Sequence, residues 1–391
     1  MFEKLNLSFN KSKFDKEKDV SRVQNSEFSL PLVNAKDGDN GIMYYGRPED
    51  FDSETMTIDI VNDGAVSTGN VYSQPQKTGV LYNAYLIKSK FGISEPMLHF
   101  FAVTIQKSIK MKFSYELKAS WERVKEEQIQ LPIKEKSLDF SNPCDNVKNI
   151  DFDFMESFIR ELEEERIREL NAYLLATGLK DYALSAEEEK ALEAFKTVQW
   201  EEFELPEIFD IKNTHNILSS EIVAESGTTP YLCASAENNS VSSYISYKNE
   251  LLENGNCIFI GGKTFVVSYQ KDDFYSNDSH NLALYLKEQN VTKSNQLYLA
   301  TCIRKGLSHK YSWGDSISGS KIKSDKFQLP TKNNKPDYAT METFIKAVEK
   351  LVIKDVVLYA DSKIKATKNV IKKDLEYKIN EDAGLLKVAE K

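Results

Sequence analysis

The turn at residues 261–264, Gly-Gly-Lys-Thr, is the segment closest in type to a nucleotide-binding motif. A phosphate-binding loop also places a glycine five positions before the glycine that precedes the lysine, because its backbone amides surround the phosphates. That position holds Cys257. The sequence therefore argues against nucleotide chemistry at this turn.

Two other groups of residues could do chemistry. Residues 48–50 (Pro-Glu-Asp) with 116–118 (Glu-Leu-Lys) imitate the acidic and lysine set of metal-dependent nucleases. In a chain with 60 acidic residues such combinations are expected by chance, so surface charge is the better interpretation. Residues 142–144 (Asn-Pro-Cys) hint at a methyltransferase signature, but no glycine-rich strand-turn-helix accompanies them to hold a methyl donor.

The cysteines and histidines are scattered and lack the short paired spacings of a metal site. The cysteines are Cys144, Cys233, Cys257 and Cys302. We expect reduced, buried thiols and no metal centre. The charged start and the absence of any apolar run near the roughly 18 residues that span a bilayer predict a cytoplasmic protein.

The net charge of -9 argues at first against a nucleic-acid partner, because phosphate neutralisation needs clustered lysine and arginine. The charge is unevenly distributed, however. Residues 151–195 hold 13 acidic and 5 basic residues, whereas residues 287–335 hold 10 basic and 3 acidic ones. This distribution is therefore compatible with a positively charged surface outside the acidic segment.

The sequence repeats itself at an offset of 198 or 199 positions over about 130 residues, an agreement that chance rarely supplies. The matched segments are 30–35 with 229–234, 100–102 with 298–300, 112–115 with 310–313 and 130–132 with 328–330. A following element, 155–159, recurs as 341–345, so the connector before it is about 12 residues longer in the first copy. Each half is predicted to be a globular unit followed by a helix.

The globular units carry both strand and helix signals. Short β-branched or aromatic runs bounded by Gly, Asn and Asp predict strands at 56–61, 70–72, 257–260 and 264–269. Short helices are expected at 96–107 and 293–304. This pattern predicts an α+β domain with a twisted, mainly antiparallel sheet.

The segments that follow the units predict long amphipathic helices. Apolar residues recur three, four or seven positions apart at Phe154, Phe158, Leu162, Ile167, Leu170 and Leu174, and again at Met341, Ile345, Val348, Val352 and Tyr359. Gly178 is a plausible stop for the first helix, and residues 185–188 form a capping-box start for a short helix to Phe195. Two such helices could pack on each other as a coiled-coil-like spacer.

Several ordered segments of the second half carry a family resemblance. They are 200–205 (Trp-Glu-Glu-Phe-Glu-Leu), 208–211, 229–231, 234–239, 258–262, 266–270 and the Gln-Leu-Pro exit at 328–330. In this order they resemble the specificity subunits of type I restriction-modification systems and of the related type IIB systems. The first half matches more weakly, because Trp200 has no aromatic counterpart at Met1. Residues 173–195 look more like the type IIB version.

The resemblance implies a division of labour. The subunit has no catalytic centre and binds no cofactor. Each target-recognition domain reads one half of a split double-stranded DNA site, while two long antiparallel helices separate the domains and dock methyltransferase, endonuclease or fused restriction-modification subunits. The acidic stretch 161–169 is a candidate docking face, and simple solvation explains it equally well.

This interpretation divides the chain into five segments. They are target-recognition domain 1 (1–135), helical spacer 1 (150–197), target-recognition domain 2 (198–332), helical spacer 2 (336–373) and a C-terminal tail (374–391).

DNA contact requires basic side chains for phosphates and amide or hydroxyl groups for base edges. In the second unit the candidates are Lys263, Thr264, Arg304, Lys305, Lys310, Tyr311, Trp313, Lys321 and Lys323. In the first unit they are Lys110, Lys112, Tyr115 and Arg123, with Asn70, Tyr72 and Gln74 for base edges. The alternative is that the aromatic residues are core and the lysines an ordinary solvated face.

Two other functions stay open at this point. One is a nuclease that uses the carboxylates named above. The other is a duplicated protein-binding or glycan-binding module, for which the modest charge is no obstacle.

Overall fold

The computed structural model describes residues 1–134, 147–290, 292–312 and 314–389, with the backbone alone for 369–389. The chain divides into two compact units, Met1–Glu169 and Leu170–Lys391, and each is described by itself. Within the described residues, no helix combines the length and apolar character that crossing a membrane requires. Trp313 and Cys144 lie outside the described residues.

The first unit combines short strands with helices. Its strands are β1 (Phe2–Lys4), β2 (Val20–Ser21), β3 (Leu30–Val33), β4 (Ile42–Gly46), β5 (Thr57–Val61), β6 (Val71–Gln74), β7 (Gly79–Val80) and β8 (Ala84–Ser89). Its helices are α1 (Lys16–Asp19), α2 (Glu95–Ile109), α3 (Trp121–Val124) and the start of α4 (Phe152–Ala176).

Two four-stranded sheets form the body of the first unit. One has the order β1-β8-β5-β6 and is antiparallel throughout. The other has the order β2-β4-β3-β7, in which only the β3–β7 pair is parallel. Helix α2 covers the first sheet.

Helix α2 forms because its sequence supplies both a cap and an apolar stripe. Ser94 precedes it and its side chain accepts a hydrogen bond from the Met97 amide, while a proline occupies the first turn. Leu98, Phe101 and Ile105 recur three or four apart and are buried against the strands. The predicted helix at 96–107 is therefore confirmed.

The second unit follows the same scheme with additional elements. Its strands are β9 (Trp200–Glu204), β10 (Phe209–Asn213), β11 (Thr229–Leu232), β12 (Val241–Ile245), β13 (Cys257–Ile260), β14 (Val267–Gln270), β15 (Tyr275–Ser276), β16 (Leu282–Leu286), β17 (Lys326–Lys332) and β18 (Lys335–Pro336). Its helices are α5 (Ala186–Ala194), α6 (Leu205–Ile208), α7 (Lys293–Leu307) and α8 (Tyr338–Ala389).

Three sheets occur in the second unit. The order β10-β16-β13-β14 is antiparallel, and the order β12-β11-β15 contains one parallel pair, β11–β15. The third sheet, β18-β17-β9, is antiparallel. Helix α7 packs on the first sheet, and its buried face continues into the core around Phe327 and Leu329.

The two units repeat one topology. The sheet β1-β8-β5-β6 corresponds strand by strand to β10-β16-β13-β14, and β4-β3-β7 corresponds to β12-β11-β15. A register shift falls between Leu32 and Val33 in the first unit and between Tyr231 and Leu232, 199 positions later, in the second. The predicted duplication of an α+β fold with mainly antiparallel sheets is thereby confirmed.

The long helices end and pack as their sequence patterns indicate. Helix α4 ends before Gly178, which has φ +74°. Within the second unit, Leu174 at the end of α4 is fully buried against Val357 and Ala360 of α8. The capping box of α5 is formed, since Ser185 and Glu188 each bond the other's backbone amide. Helix α8 continues to Ala389, through most of the segment predicted as a tail.

Candidate nucleic-acid interface

The loop that follows α7 and the turn at 261–264 lie against each other in the second unit. The amide of Ile317 donates to the carbonyl of Gly262 at 3.1 Å. The rings of Phe265 and Tyr311 stack with centroids 5.1 Å apart. A Cβ atom on Gly262 would lie 2.4 Å from the carbonyl oxygen of His280, so this approach needs glycine. The fold thus brings Lys263, Lys310 and Tyr311 into one region.

Asp325 holds the Lys310–Tyr311 segment in place. This buried carboxylate accepts a hydrogen bond from the Tyr311 hydroxyl and lies 3.1 Å from Lys310 Nζ. Burial, followed by the contact with Asp325, raises the pKa of Tyr311. Tyr311 also packs on the main hydrophobic core of the unit. Its ring therefore has a structural role, as the alternative interpretation of the aromatic residues expected.

Lys263, Thr264 and Lys321 are exposed but already have partners. Lys263 Nζ lies 2.9 Å from Asp278, and Thr264 donates to the carbonyl of Ala234 at 2.9 Å. Although burial opposes it, hydrogen bonds from the His280 amide and Lys263 lower the pKa of Asp278 to about 2. Lys321 pairs with Asp315 and with the carbonyl of Ser316.

Arg304, Lys305 and Lys323 are exposed cations without an ion pair to any residue the structure describes. Arg304 and Lys305 occupy the last turn of α7, where positive charge is favoured by the helix dipole. Side chains with no internal partner give up no ion pair when they bind a phosphate. Among the predicted contacts of the second unit, these three are the best suited to that role.

The predicted basic residues of the first unit are mostly engaged. Lys110 Nζ donates to the carbonyl of Val66 at 2.7 Å and that of Thr68 at 3.2 Å. Lys112 pairs with Glu127, and Arg123 donates to the carbonyl of Lys118 at 3.0 Å. Tyr115 is 67% exposed.

The predicted base-edge residues of the first unit lie on or beside β6 and have little access to solvent. Asn70 is buried and donates to Asp37 at 2.8 Å and to the Tyr72 hydroxyl at 2.9 Å. The half-buried Tyr72 accepts at its hydroxyl from the Gly38 amide at 3.0 Å. Gln74 is fully buried. DNA contact by Asn70 or Gln74 would require these hydrogen bonds to open, so both are better explained as structural residues.

Gln74 belongs to a hydrogen-bond clamp that both units contain. Its Nε2 donates to the carbonyl of Asn40 at 2.7 Å, and Asn40 Nδ2 donates to the carbonyl of Ser73 at 3.0 Å. In the second unit Gln270 and Asn239 repeat both bonds at 2.9 Å. Asn40 and Asn239 both have φ +51°.

Of the clamp residues only Gln74 is among the predicted site residues, although the sequence carries a signal for the whole clamp. Asparagine and glutamine are kept at both positions in the two copies while neighbouring residues change. Each pair is more than 30 positions apart in the chain and comes together only through the fold.

Asp59 is a second feature missed by sequence reasoning. It is fully buried in the middle of β5, and neither carboxylate oxygen has a hydrogen-bond partner among the described residues. Burial raises the pKa of Asp59 well above the ordinary value. The corresponding residue of β13 is Phe259, which is buried in an apolar cluster.

Asp50 and Lys118, two of the residues that suggested a nuclease site, are held in ion pairs. Asp50 lies 3.3 Å from Arg47 and also binds Lys11. Although burial opposes it, hydrogen bonds from Lys11 and Arg47 lower the pKa of Asp50. Lys118 pairs with Asp63. These ion pairs give both residues a structural role, but the prediction of surface charge is wrong for Asp50, which is buried.

The described cysteines are free thiols, as predicted, but only Cys257 is fully buried; Cys233 and Cys302 are half-buried. Burial raises the pKa of Cys257 and of Cys302 to about 12 in each case, so both thiols are unreactive at neutral pH.

Comparison with known families agrees with the duplicated fold. The sequence model of the family "Type I restriction modification DNA specificity domain" matches this chain twice, at residues 4–172 and 197–358. The chain belongs to this family. Each match covers one copy of the repeated fold with part of the helix that follows it, so the predicted resemblance is confirmed.

A curated relative of this specificity-domain family is the "Type II restriction enzyme BgcI specificity subunit S.BcgI" of Heyndrickxia coagulans. It is 24% identical over 153 residues, which are 39% of this chain. The match spans 44% of that subunit's length.

Solved specificity subunits are also similar. The type I restriction-modification S subunit from M. genitalium has 14% identity and a TM-score of 0.49, with 95% of this chain and 94% of that one covered. The HsdS subunit from Thermoanaerobacter tengcongensis has 13% identity and a TM-score of 0.31, with 88% of each chain covered.

Proposed function

We propose that this chain is the DNA-reading specificity subunit of a restriction-modification system, with two recognition domains and no catalytic centre of its own. One observation carries the proposal: a single α+β fold occurs twice, and the specificity-domain family matches each copy. Two readers in one chain suit a split target, because binding of the first half-site raises the effective concentration of the second reader.

The partners in this proposal are double-stranded DNA and methyltransferase subunits, together with endonuclease or fused restriction-modification subunits. Helix α4 offers a surface for such subunits, since its residues Glu161 and Glu163–Glu165 are exposed and repel DNA phosphates. The spacer role of α4 and α8, the domain boundaries and the cytoplasmic location remain predictions.

Arg304, Lys305 and Lys323 are the proposed phosphate contacts of the second domain. They are exposed and have no ion pair within the described part of the chain. Lys263, Lys310 and Lys321 would exchange a carboxylate partner for a phosphate. In the first domain, Tyr115, Lys112 and Arg123 are the proposed contacts, because their side chains reach the surface.

The proposal is tested by titrating the purified chain with a fluorescent duplex of random sequence at several salt concentrations. Saturable binding that weakens steeply with salt is expected, because phosphate contacts release counterions. Absence of DNA binding at low salt, with binding to a glycan array instead, would favour the duplicated binding module.

The nuclease alternative needs a separate assay. Purified chain with plasmid and magnesium or manganese should leave the plasmid intact, because Asp50 is already neutralised by Lys11 and Arg47. Cleavage that an Asp50→Asn variant loses would contradict the assignment of a non-catalytic subunit.

A further inference from the structure

In the second unit, strand β9 forms one wall of a cavity of about 860 Å³. This strand runs antiparallel to β17, with Trp200 opposite Pro330 and Glu204 opposite Lys326. Ahead of it, Phe195 stacks on Phe344 at 4.5 Å and meets the Trp200 ring edge-on at 5.7 Å. These aromatic residues cover the side of α8 that faces the cavity.

The first unit has an equivalent cavity of about 720 Å³, here called the first-unit groove. Its lining residues recur 198 or 186 positions later around the cavity beside β9. The matched pairs are Phe100 with Tyr298, Val103 with Thr301, Lys107 with Lys305, Gln130 with Gln328 and Phe158 with Phe344. The described residues of the first unit place no strand where β9 lies in the second.

The backbone along this groove is an unpaired edge. Residues 128–132 correspond to the part of β17 that pairs with β9. The backbones of Ile129, Gln130 and Leu131 make no hydrogen bond to any described residue. Such an edge can accept an added strand, because its amides and carbonyls are available for ladder bonds.

The exposed fractions of side chains also show that the strand edge is covered in the second unit and less covered in the first. Phe327 and Leu329 of the second unit are 2% and 0% exposed, whereas the equivalent Ile129 and Leu131 are only half-buried. On α4, Phe154 and Phe158 are 48% and 47% exposed at the rim of the groove. Covering this apolar surface would be favourable.

The charge of the groove selects the occupant. Lys107 lines it without an ion pair to any described residue, whereas Lys112, which also lines it, is paired with Glu127. Strand β9, which fills the equivalent place in the second unit, carries Glu201, Glu202 and Glu204. An acidic strand therefore complements both the backbone edge and Lys107.

We propose that the first-unit groove binds an extended acidic peptide with a leading aromatic residue, presented by another protein. The peptide adds antiparallel to residues 128–132, its aromatic side chain near Pro132 and its carboxylates toward Lys107. Main-chain hydrogen bonds supply affinity, and Phe154 and Phe158 cover the aromatic side chain. Of the proposed DNA contacts of the first domain, only Lys112 lines this groove, and it is paired with Glu127.

A peptide with the sequence of residues 198–205, labelled at its end, provides the direct test. Titrated with the full chain, it should bind saturably, and Phe158→Ala should weaken the affinity about tenfold because the ring that covers the peptide's aromatic side chain is removed. Leu175→Ala is the matched control, since Leu175 is 60% exposed on the same helix, outside the groove. Lys107→Gln should weaken binding at low salt only.

Peptide variants check the mode of binding. In β9 the odd-numbered residues are in hydrogen-bonded pairs, since Thr331 donates to the carbonyl of Gln199 and Leu205 donates to that of Asp325. Replacing Glu201 by proline in the peptide therefore removes a ladder donor and should abolish binding. No saturable binding, equal binding of a scrambled peptide, or equal affinity of the Phe158→Ala and Leu175→Ala chains would overturn the proposal.

A fused strand keeps the test decisive if Phe158→Ala folds poorly. In the repeat, Phe2 pairs with Ser89 as Phe209 pairs with Leu286, so residues 198–208 joined directly to Phe2 would reproduce the geometry of β9. The fused chain should melt several degrees higher and no longer bind the free peptide. Unchanged peptide affinity in the fused chain would contradict the assigned groove.

Discussion

Position 59 differs in chemistry between the two repeats. Asp59 is a fully buried carboxylic acid without a hydrogen-bond partner among the described residues, whereas the repeat has Phe259 at the same place. Since burial raises the pKa of Asp59 well above its ordinary value, the folded state keeps the proton to a higher pH than the unfolded chain does. Folding of the first unit is therefore linked to proton uptake.

Asp59→Asn should stabilise the first unit increasingly as the pH rises. Below a pH of about 3.9, the pKa of aspartate in the unfolded chain, both the folded and the unfolded state are protonated. Above it only the unfolded chain loses the proton, and the free energy of unfolding falls by about 1.4 kcal/mol per pH unit up to the pKa of the folded state. The contribution of Asp59 is thus present at low pH and lost as the pH rises. The variant removes this dependence.

Urea unfolding between pH 4 and pH 8 measures the effect. Trp121 reports on the first unit when Trp200 and Trp313 are replaced by phenylalanine. Asp210→Asn is the control, because Asp210 is an exposed carboxylate on β10. An equal free energy of unfolding for wild type and Asp59→Asn across the pH range would contradict the assigned protonation state.

The asparagine clamp predicts a second effect of single residues. Asn239→Ala removes the hydrogen bond to the carbonyl of Tyr269 and leaves a side chain with little preference for φ +51°. A decrease of about 1–3 kcal/mol in the free energy of unfolding is expected. Asn239→Gly should be less destabilising, because glycine tolerates this backbone conformation.

Asn40→Ala should show the same ranking against Asn40→Gly in the first unit, since the clamp is repeated there. Thermal unfolding monitored by circular dichroism measures the unfolding temperatures that give this ranking. Destabilisation of only one unit would show that the two clamps are not equivalent.

At the scale of elements, helix α7 positions Arg304 and Lys305, two of the proposed phosphate contacts that have no ion pair among the described residues. The capping box of Thr292 and Asn295 fixes its start, and Leu299 and Ile303 bury one face. Arg304 and Lys305 then fall in the exposed last turn. The helix end thus presents two cations at a defined place.

Arg304→Gln with Lys305→Gln should weaken binding to all duplexes equally and leave base preference unchanged. Removing one phosphate contact lowers the slope of log affinity against log salt by about 0.9, so a fall of about 2 is expected for the pair. Fluorescence anisotropy over a salt series measures it. The charge-matched control is Lys354→Gln with Lys365→Gln, which changes two exposed lysines of α8. An equal change of slope in this control would show that the effect comes from net charge and not from phosphate contacts of Arg304 and Lys305.

The elements were predictable where the sequence carries periodic burial and caps. The helix at 293–304, the strand at 257–260 and the capping box at Ser185 are all present, because each is specified locally. Site residues were harder to predict. Gln74 and Tyr311 have the polar and aromatic types that DNA contact needs, but both are held by partners distant in sequence, Asn40 and Asp325.

At the scale of the whole molecule, the internal repeat was the most informative feature of the sequence. Two copies at a constant offset had to share one topology, and the matching sheet orders and bulges confirm it. The departures between copies could not be predicted from the offset alone. Asp59 in place of Phe259, and a groove without a counterpart of β9, appear only when the strands are placed side by side.

The central claim is that two equivalent reading domains act in one specificity subunit. Selection of bound sequences from a pool of randomised duplexes, with the partner methyltransferase present, tests it most directly. The account predicts enrichment of a split motif, two short sequences separated by a gap of constant length. Enrichment of one uninterrupted motif, or of no sequence at all, would contradict it.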